Sequence, residues 1–236
     1  MEKIDIVIIG AGIAGIASAY YLQKNFPNIR FKILESRSSV GGTWDQMRFP
    51  GVRADNDMYT YGFSFDPWKG SIIGNGKEIK NYLNKVTDKF NIKKNILFDT
   101  EVRSLNWKDN KWVIKTDLKK FVSQYIICCT GSRDRKNPHL PKFKNEKIYQ
   151  GKIIHTQAWG NTDIKDKNVT IVGSGCTAIT MAPSIIKEAK KVTLVQRSPA
   201  WIINIDSKEK STRIRKTFKV LWDYFSSRIF KKFQRK

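Results

Sequence analysis

Residues 4–35 read IDIVIIGAGIAGIASAYYLQKNFPNIRFKILE, and this stretch decides the fold. Residues 4–9 are a short β-branched run closed by glycine, the pattern of a buried parallel strand. GAGIAG follows at 10–15, then a helical stretch over 16–25 that ends before Pro27, then a second strand over 30–34 that closes on Glu35. A G-x-G-x-x-G string alone is weak; between a strand and a helix, with an acid 25 positions after Gly10, it is strong. Gly10 permits the tight turn, Gly12 lets the backbone approach a pyrophosphate, and Gly15 lets the helix pack on the strand. The helix N-terminus, with Ala14 in the turn before it, offers unpaired N–H groups and partial positive charge to phosphates. Glu35 is placed to accept from the adenosine ribose hydroxyls.

The unit then repeats. NVTIV at 168–172 is a strand, GSGCTA occupies 173–178, a helix runs to about residue 190, and residues 192–195 form a strand ending on Gln196-Arg197. Arg197 stands 24 positions after Gly173, so the two units match in length. In the second unit Gly173, Ser174, Gly175, Cys176 and Thr177 form the turn, and Ile179 falls in the first helical turns. It departs at two places: Ala178 replaces the third glycine, and Arg197 replaces the ribose-binding acid. An acid there repels a 2′-phosphate, whereas an arginine attracts it. The first site therefore suits FAD or NAD, and the second suits NADPH. The expected fold is α/β with two Rossmann-type three-layer dinucleotide-binding domains.

Between the units, residues 41–68 (GGTWDQMRFPGVRADNDMYTYGFSFDPW) form a loop long enough to be functional. Residues 78–90 read as an amphipathic helix with Ile79, Leu83, Val86 and Phe90 on one face. Residues 102–107 and 111–116 read as paired strands around the turn-prone Asp109-Asn110. YIICC at 125–129 reads as a further buried strand. Residues 211–236 are helical by period: Ile214, Phe218, Leu221, Phe225 and Ile229 share a face, and Lys216, Lys219, Arg228, Lys231, Lys232, Arg235 and Lys236 surround it. Packing of that face within the NADPH-binding region is preferred over attachment to an anionic membrane surface.

Composition excludes several classes. The 236 residues are 40% hydrophobic, which is globular. The 44 Lys and Arg against 21 Asp and Glu give +23, but except near the end the cations are not gathered on one element, and no nucleic-acid partner is expected. Three cysteines without C-x-x-C spacing fit a reducing cytoplasm, and two histidines leave no basis for a metal centre. The apolar N-terminus lacks a basic leader and is broken by Gly10, Gly12 and Gly15, so a signal peptide is not expected. No run of 18 apolar residues spans a membrane.

Residues 149–159, YQGKIIHTQAW, lie between the two units. The pattern resembles the F-x-G-x-x-x-H-x-x-x-W fingerprint of Baeyer–Villiger flavin monooxygenases. Gly151, His155 and Trp159 match; Tyr149 stands for the phenylalanine, and Gly160 stands where Pro or Asp is usual. The related N-oxygenating flavin monooxygenases usually carry Tyr at the place of Trp159. His155 is expected to organise the linker rather than to carry protons. The likeness extends through residues 41–55 and 192–202, and is nearest the branch that includes the ethionamide-activating monooxygenases.

The resemblance implies oxygen insertion beside a ketone carbonyl, using FAD, NADPH and O2 on a small-molecule substrate; oxygenation of nitrogen or sulfur is the alternative. It places Thr43, Trp44, Asp45 and Gln46 along the flavin, the backbone of Val102 at the adenine, and Arg53, Ala54 and Asp55 at the nicotinamide end of NADP. Asp55 matches the aspartate that steadies an active-site arginine, the one assignment to the catalytic machinery; its other reading is a turn cap. Family members run about twice this length, and the arginine has no counterpart here. A chain truncated at its C-terminus is thus expected, with a first FAD part over 1–140, a fingerprint linker over 141–165 and an NADPH part over 166–236. It leaves open a non-catalytic fragment, or half of a split enzyme whose C-terminal half is separately encoded.

Overall fold

The computed structural model describes residues 1–131, 138 and 140–202; the helical expectation for residues 211–236 lies outside them. The opening run forms β1 (Glu2–Ile9), with Val7 and Ile8 both fully buried. A strand covered on both faces needs apolar side chains at successive positions, which is why the run does not alternate. Gly10, at φ +102°, turns the chain into α1 (Ile13–Asn25), and β2 (Phe31–Leu34) returns parallel to β1 with Ile8 opposite Ile33.

There follow α2 (Thr43–Gln46), α3 (Met58–Tyr61), α4 (Gly76–Lys89), β3 (Ile96–Leu97), β4 (Val102–Lys108), β5 (Lys111–Thr116) and β6 (Lys120–Cys128). The sheet order is β3-β2-β1-β6-β5-β4. β3, β2, β1 and β6 pair parallel, while β5 pairs antiparallel with both β4 and β6. Asp109 and Asn110 join β4 to β5 with φ of 50° and 57°, the two left-handed residues that a tight hairpin demands. Ile8 faces α1, while Val7, Ile9 and Leu34 pack with Ile114 and Phe121 from the meander strands. Alternate residues of β1 thus serve two faces of the sheet, one toward α1 and one toward the cluster around Ile114 and Phe121.

The second repeat forms β7 (Asn168–Val172), α5 (Cys176–Ile185) and β8 (Lys191–Val195), with β7 and β8 parallel. Its core joins Ile171, Ala178, Met181 and Ile185 to Met47 and Phe49. The chain is α/β, as expected. By contacts it divides into Met1–Arg53 with Asn75–Ala200, and a second unit that holds Ala54–Gly74. Both glycine turns fall in the first unit. In the second, backbone bonds from Ala54 to Gly74 and from Met58 to Ile72 close a loop around buried Met58, Phe63 and Trp68.

Three expectations need correction. The helix after Cys176 stops at Ile185, not near 190, two residues beyond Pro183, whose ring cannot donate to the helix. The segment 41–68 is not a bare loop but carries α2 and α3. The strand at 125–129 is not buried: Tyr125 is 60% exposed and Cys128 is exposed. β5 pairs with β6 only as far as Ser123, so the outer edge of 125–128 has no partner strand among the described residues.

Candidate dinucleotide sites

The two glycine turns have nearly the same backbone. Gly10 and Gly173 have φ of +102° and +137°. The cap residues Gly12 and Gly175 have φ/ψ of −77°/−172° and −74°/173°, and each helix starts three positions after its first glycine. Neither helix has a side-chain cap. An uncapped helix start at the carboxyl end of parallel strands is where a phosphate is held, because the first N–H groups have no helical acceptor. In the first turn a Cβ on Gly15 would stand 1.9 Å from the Gly10 carbonyl oxygen, while one on Gly12 would meet only the Gly42 Cα at 3.7 Å. Gly15 is thus required by packing, and Gly12 is open on the ligand side. Ala178, at the corresponding place in the second turn, fits and lies in the core.

Glu35, 1% exposed, sits at the end of β2. Its Oε2 accepts from the Ala11 amide at 2.6 Å and its Oε1 from the Arg37 amide at 3.0 Å. Ser36 Oγ also donates to Oε1, at 3.3 Å, and the carboxylate is fixed beside the first turn. These features fit a dinucleotide with a bridging pyrophosphate.

Next to it lies a cluster that sequence reading missed. Asp45, 4% exposed, accepts from Arg37 Nε at 2.5 Å and from Lys80 Nζ. Burial alone pushes this carboxyl up; hydrogen bonds from Lys80, Ser39 and Arg37 outweigh it and hold the carboxyl at about 2. The sign follows: a carboxyl lowered in the folded state stabilises fully above its unfolded pKa, and that share is lost as pH falls through the folded value. Between pH 5 and pH 2 the stability advantage over Asp45→Asn is expected to shrink by about 1–2 kcal/mol. Urea unfolding of both proteins at the two pH values checks this; an unchanged difference would show that the pairing contributes nothing.

The fingerprint is built from local contacts. A Cβ on Gly151 would stand 2.3 Å from the Tyr149 hydroxyl and 2.4 Å from its ring, so the glycine makes room for the aromatic two residues before it. His155 Nδ1 accepts from the Gln157 amide at 3.3 Å and caps a 3-10 turn over Thr156–Ala158. Trp159 packs on the core of the second repeat. Thr43 is exposed, and Trp44 and Gln46 are half-buried, all on α2. Val102 is half-buried at the start of β4, beside a register shift. Arg53, with Lys77, Thr180 and Ser184, lines a cavity of about 390 Å³ between the 51–53 turn and α5. Asp55 is exposed, and the cap role belongs to Asp57, whose carboxylate accepts from the Tyr59 and Thr60 amides. In the second repeat the Gly173 amide donates to the Val195 carbonyl at 2.8 Å, which fixes the end of β8 beside the turn; Gln196 and Arg197 follow, both exposed.

The profile of the pyridine nucleotide-disulphide oxidoreductases matches residues 7–229. The chain belongs to that family. Within it, the chain is 43% identical over 218 residues to the "Probable FAD-binding monooxygenase AlmA" of Acinetobacter sp. It is 38% identical over 212 residues to the FAD-containing monooxygenase EthA of Mycobacterium tuberculosis. Those alignments cover 88% and 86% of this chain but only 44% and 43% of the relatives. Epsilon-caprolactone-bound cyclohexanone monooxygenase superposes over 97% of this chain and 46% of its own, with TM-score 0.82 and 25% identity. NADP-bound steroid monooxygenase gives 0.77 and 28%, over 91% of this chain and 43% of its own. The chain thus spans less than half the length of the relatives it matches.

The family is named for disulphides, and this chain carries no C-x-x-C pair. Cys128, Cys129 and Cys176 are all free thiols, and burial pushes the Cys129 thiol up, making it a poorer nucleophile. The chain shares with these relatives the α/β fold that carries its two glycine turns. No helix among the described residues is long and apolar enough to cross a membrane.

Proposed function

We propose that this chain forms the FAD- and NADPH-binding part of a flavin monooxygenase that inserts oxygen beside a ketone carbonyl, with residues 1–140, 141–165 and 166–236 as its FAD part, linker and NADPH part. The observation that carries the reading is the duplicated glycine turn, alike in backbone but followed by Glu35 in one copy and Arg197 in the other. Two dinucleotide sites with opposite ribose chemistry suit a flavin and a 2′-phosphorylated nicotinamide.

Bound flavin and NADPH supply the redox and oxygen-transfer chemistry. The chain's own residues bind and place them. The α1 start holds the flavin pyrophosphate, Glu35 its ribose, and Thr43, Trp44, Gln46 and the Val102 backbone border it, while Asp45 on the same short helix turns its carboxylate to Arg37 and Lys80. The second turn, from Gly173 to Ile179, holds the NADPH pyrophosphate, with Gln196 and Arg197 at its 2′-phosphate. Arg53, Ala54 and Asp55 meet the nicotinamide end. Trp159 anchors the fingerprint on the core that Met47 and Phe49 share with α5, so the linker is braced against the second repeat and the segment just after α2. Ketone chemistry is favoured over nitrogen or sulfur oxygenation by Trp159 and by the cyclohexanone-bound and epsilon-caprolactone-bound forms of a neighbour that superposes well. The remaining length of the relatives, on this polypeptide or a separate one, completes the substrate pocket and supplies the arginine that Asp55 steadies.

The purified chain is expected to carry a flavin absorption spectrum, and with NADPH and O2 its complete form should turn cyclohexanone into lactone. A thioether converted to sulfoxide with no lactone would favour the sulfur-oxygenating alternative. Absence of any flavin or NADPH binding would remove the reading altogether.

A further inference from the structure

We propose that Asp45 is a positioning residue: by holding Arg37 and Lys80 together it clamps the 41–46 turn onto the start of α1, setting the first dinucleotide cleft without touching the dinucleotide. The inference rests on the flavin assignment of the first turn.

Both carboxylate oxygens of Asp45 are already taken, Oδ2 by Arg37 and Oδ1 by Lys80, with Arg48 a further 3.9 Å from Oδ1. At 4% exposure the side chain has little surface left to present to a ligand. The three residues come from three places: Arg37 follows β2, Asp45 lies on α2, and Lys80 lies on α4. One buried charge therefore ties together the segments that surround the turn.

The turn needs such a tie. Gly41 and Gly42 have φ of 127° and 55°, and two successive glycines are costly to order because the unfolded chain has so much freedom there. α2 is a single four-residue turn, too short to persist by its own hydrogen bonds. Yet the turn reaches the ligand end of α1: the Gly41 amide donates to the Ala11 carbonyl at 3.1 Å. The Ala11 amide in turn donates to Glu35, and Glu35 accepts from the Arg37 amide. Arg37 thus joins the ribose-facing carboxylate to the clamp through its backbone and its side chain. Loosening Asp45 frees the turn and, through Arg37, the acid.

FAD affinity, read by quenching of flavin fluorescence, tests this with Asp45→Asn, Lys80→Met and their double variant. Each single change should weaken FAD by about tenfold or more, and the double should lose no more than the worse single, since either removes the same clamp. Lys80→Arg should restore affinity to within about threefold, and NADP binding at the second turn should be unchanged in all of them. Amide exchange in the flavin-free protein should quicken at residues 43–47 in Asp45→Asn. Full FAD affinity in Lys80→Met alongside loss in Asp45→Asn would overturn the clamp in favour of direct contact, as would strictly additive losses. If Asp45→Asn does not fold, the Lys80→Met and Lys80→Arg pair decides by the same affinities. A wild-type chain that binds no FAD would defeat the flavin assignment instead, and the clamp then stands or falls on exchange, unchanged protection at 43–47 overturning it.

Discussion

Gly15→Ala is expected to lower the melting temperature of the flavin-free protein by several degrees or to prevent its folding. Gly12→Val, three residues away, is expected to leave that melt nearly unchanged and abolish flavin binding. The difference comes from where each missing side chain would go. A methyl on Gly15 would stand 1.9 Å from the Gly10 oxygen and 3.0 Å from its carbonyl carbon, inside the turn that starts α1. Backbone must move to admit it, and overpacking of this kind costs about 1–3 kcal/mol or more. For a chain of this size each kcal/mol shifts the melt by roughly 2–4 °C. Gly12 has ordinary φ, and its nearest neighbour would be the Gly42 Cα at 3.7 Å, so a side chain there meets little in the empty protein. It would instead fill the gap between the helix start and the 41–46 turn, where a pyrophosphate must approach the backbone. Melting curves and the visible spectrum of the purified variants separate the two effects. Gly12→Val protein with a full flavin spectrum would show that the first turn does not hold the flavin, and a wild-type melt for Gly15→Ala would contradict the close approach.

That pair also marks what could be read from sequence. A glycine at position 15 is legible because strand, turn and helix follow one another within a few residues, and local spacing dictates that the helix must come close. The same holds for Asp109-Asn110, whose turn chemistry needs nothing beyond its neighbours. Asp45 was legible only as a flavin-side residue by resemblance. Its partner Lys80 is 35 positions away on another helix, and nothing in the intervening sequence joins them. β3 was missed because two residues show no period, and its pairing with β2 exists only once α4 has returned the chain. The start of α4 was placed two residues late. Yet Asn75 and Glu78 cap it reciprocally at 2.9 Å each, and the N-x-x-E spacing carried that signal. Residues 125–129 misled for the opposite reason: an apolar run reports that a strand could be buried, and only the neighbouring strands decide whether it is. β6 is covered by β1 along its length but by β5 only to Ser123.

NADPH is expected to bind the second site on the order of ten- to a hundredfold more tightly than NADH, and Arg197→Ala to remove most of that gap. The geometry behind this is the fixed end of β8. The Gly173 amide donates to the Val195 carbonyl, so the turn that would hold the pyrophosphate and the strand that carries Arg197 cannot drift apart. A guanidinium just past that strand end would meet the 2′-position of a ribose bound over the turn, and a charge-assisted hydrogen bond there is worth about 1.5–3 kcal/mol. The competing explanation is the field of the whole chain: a formal charge of +23 attracts the more highly charged cofactor whatever residue stands at 197. The two separate by substitution and by salt. Lys94, exposed in the short turn before β3 at the edge of the six-stranded sheet, contributes to the field but not to the second turn, so Lys94→Ala should lower the NADPH-to-NADH ratio if the field sets it and leave the ratio nearly intact if Arg197 does. Arg197→Ala should change the ratio, and Arg197→Glu should invert it, since a carboxylate repels the 2′-phosphate and accepts from a free 2′-hydroxyl. Raising ionic strength erodes the field first, because distant charges are screened over about 10 Å while a direct contact is screened much less. A preference that disappears in moderate salt and survives Arg197→Ala would assign cofactor choice to the net charge, and Arg197 would then be a solvated strand-end cation.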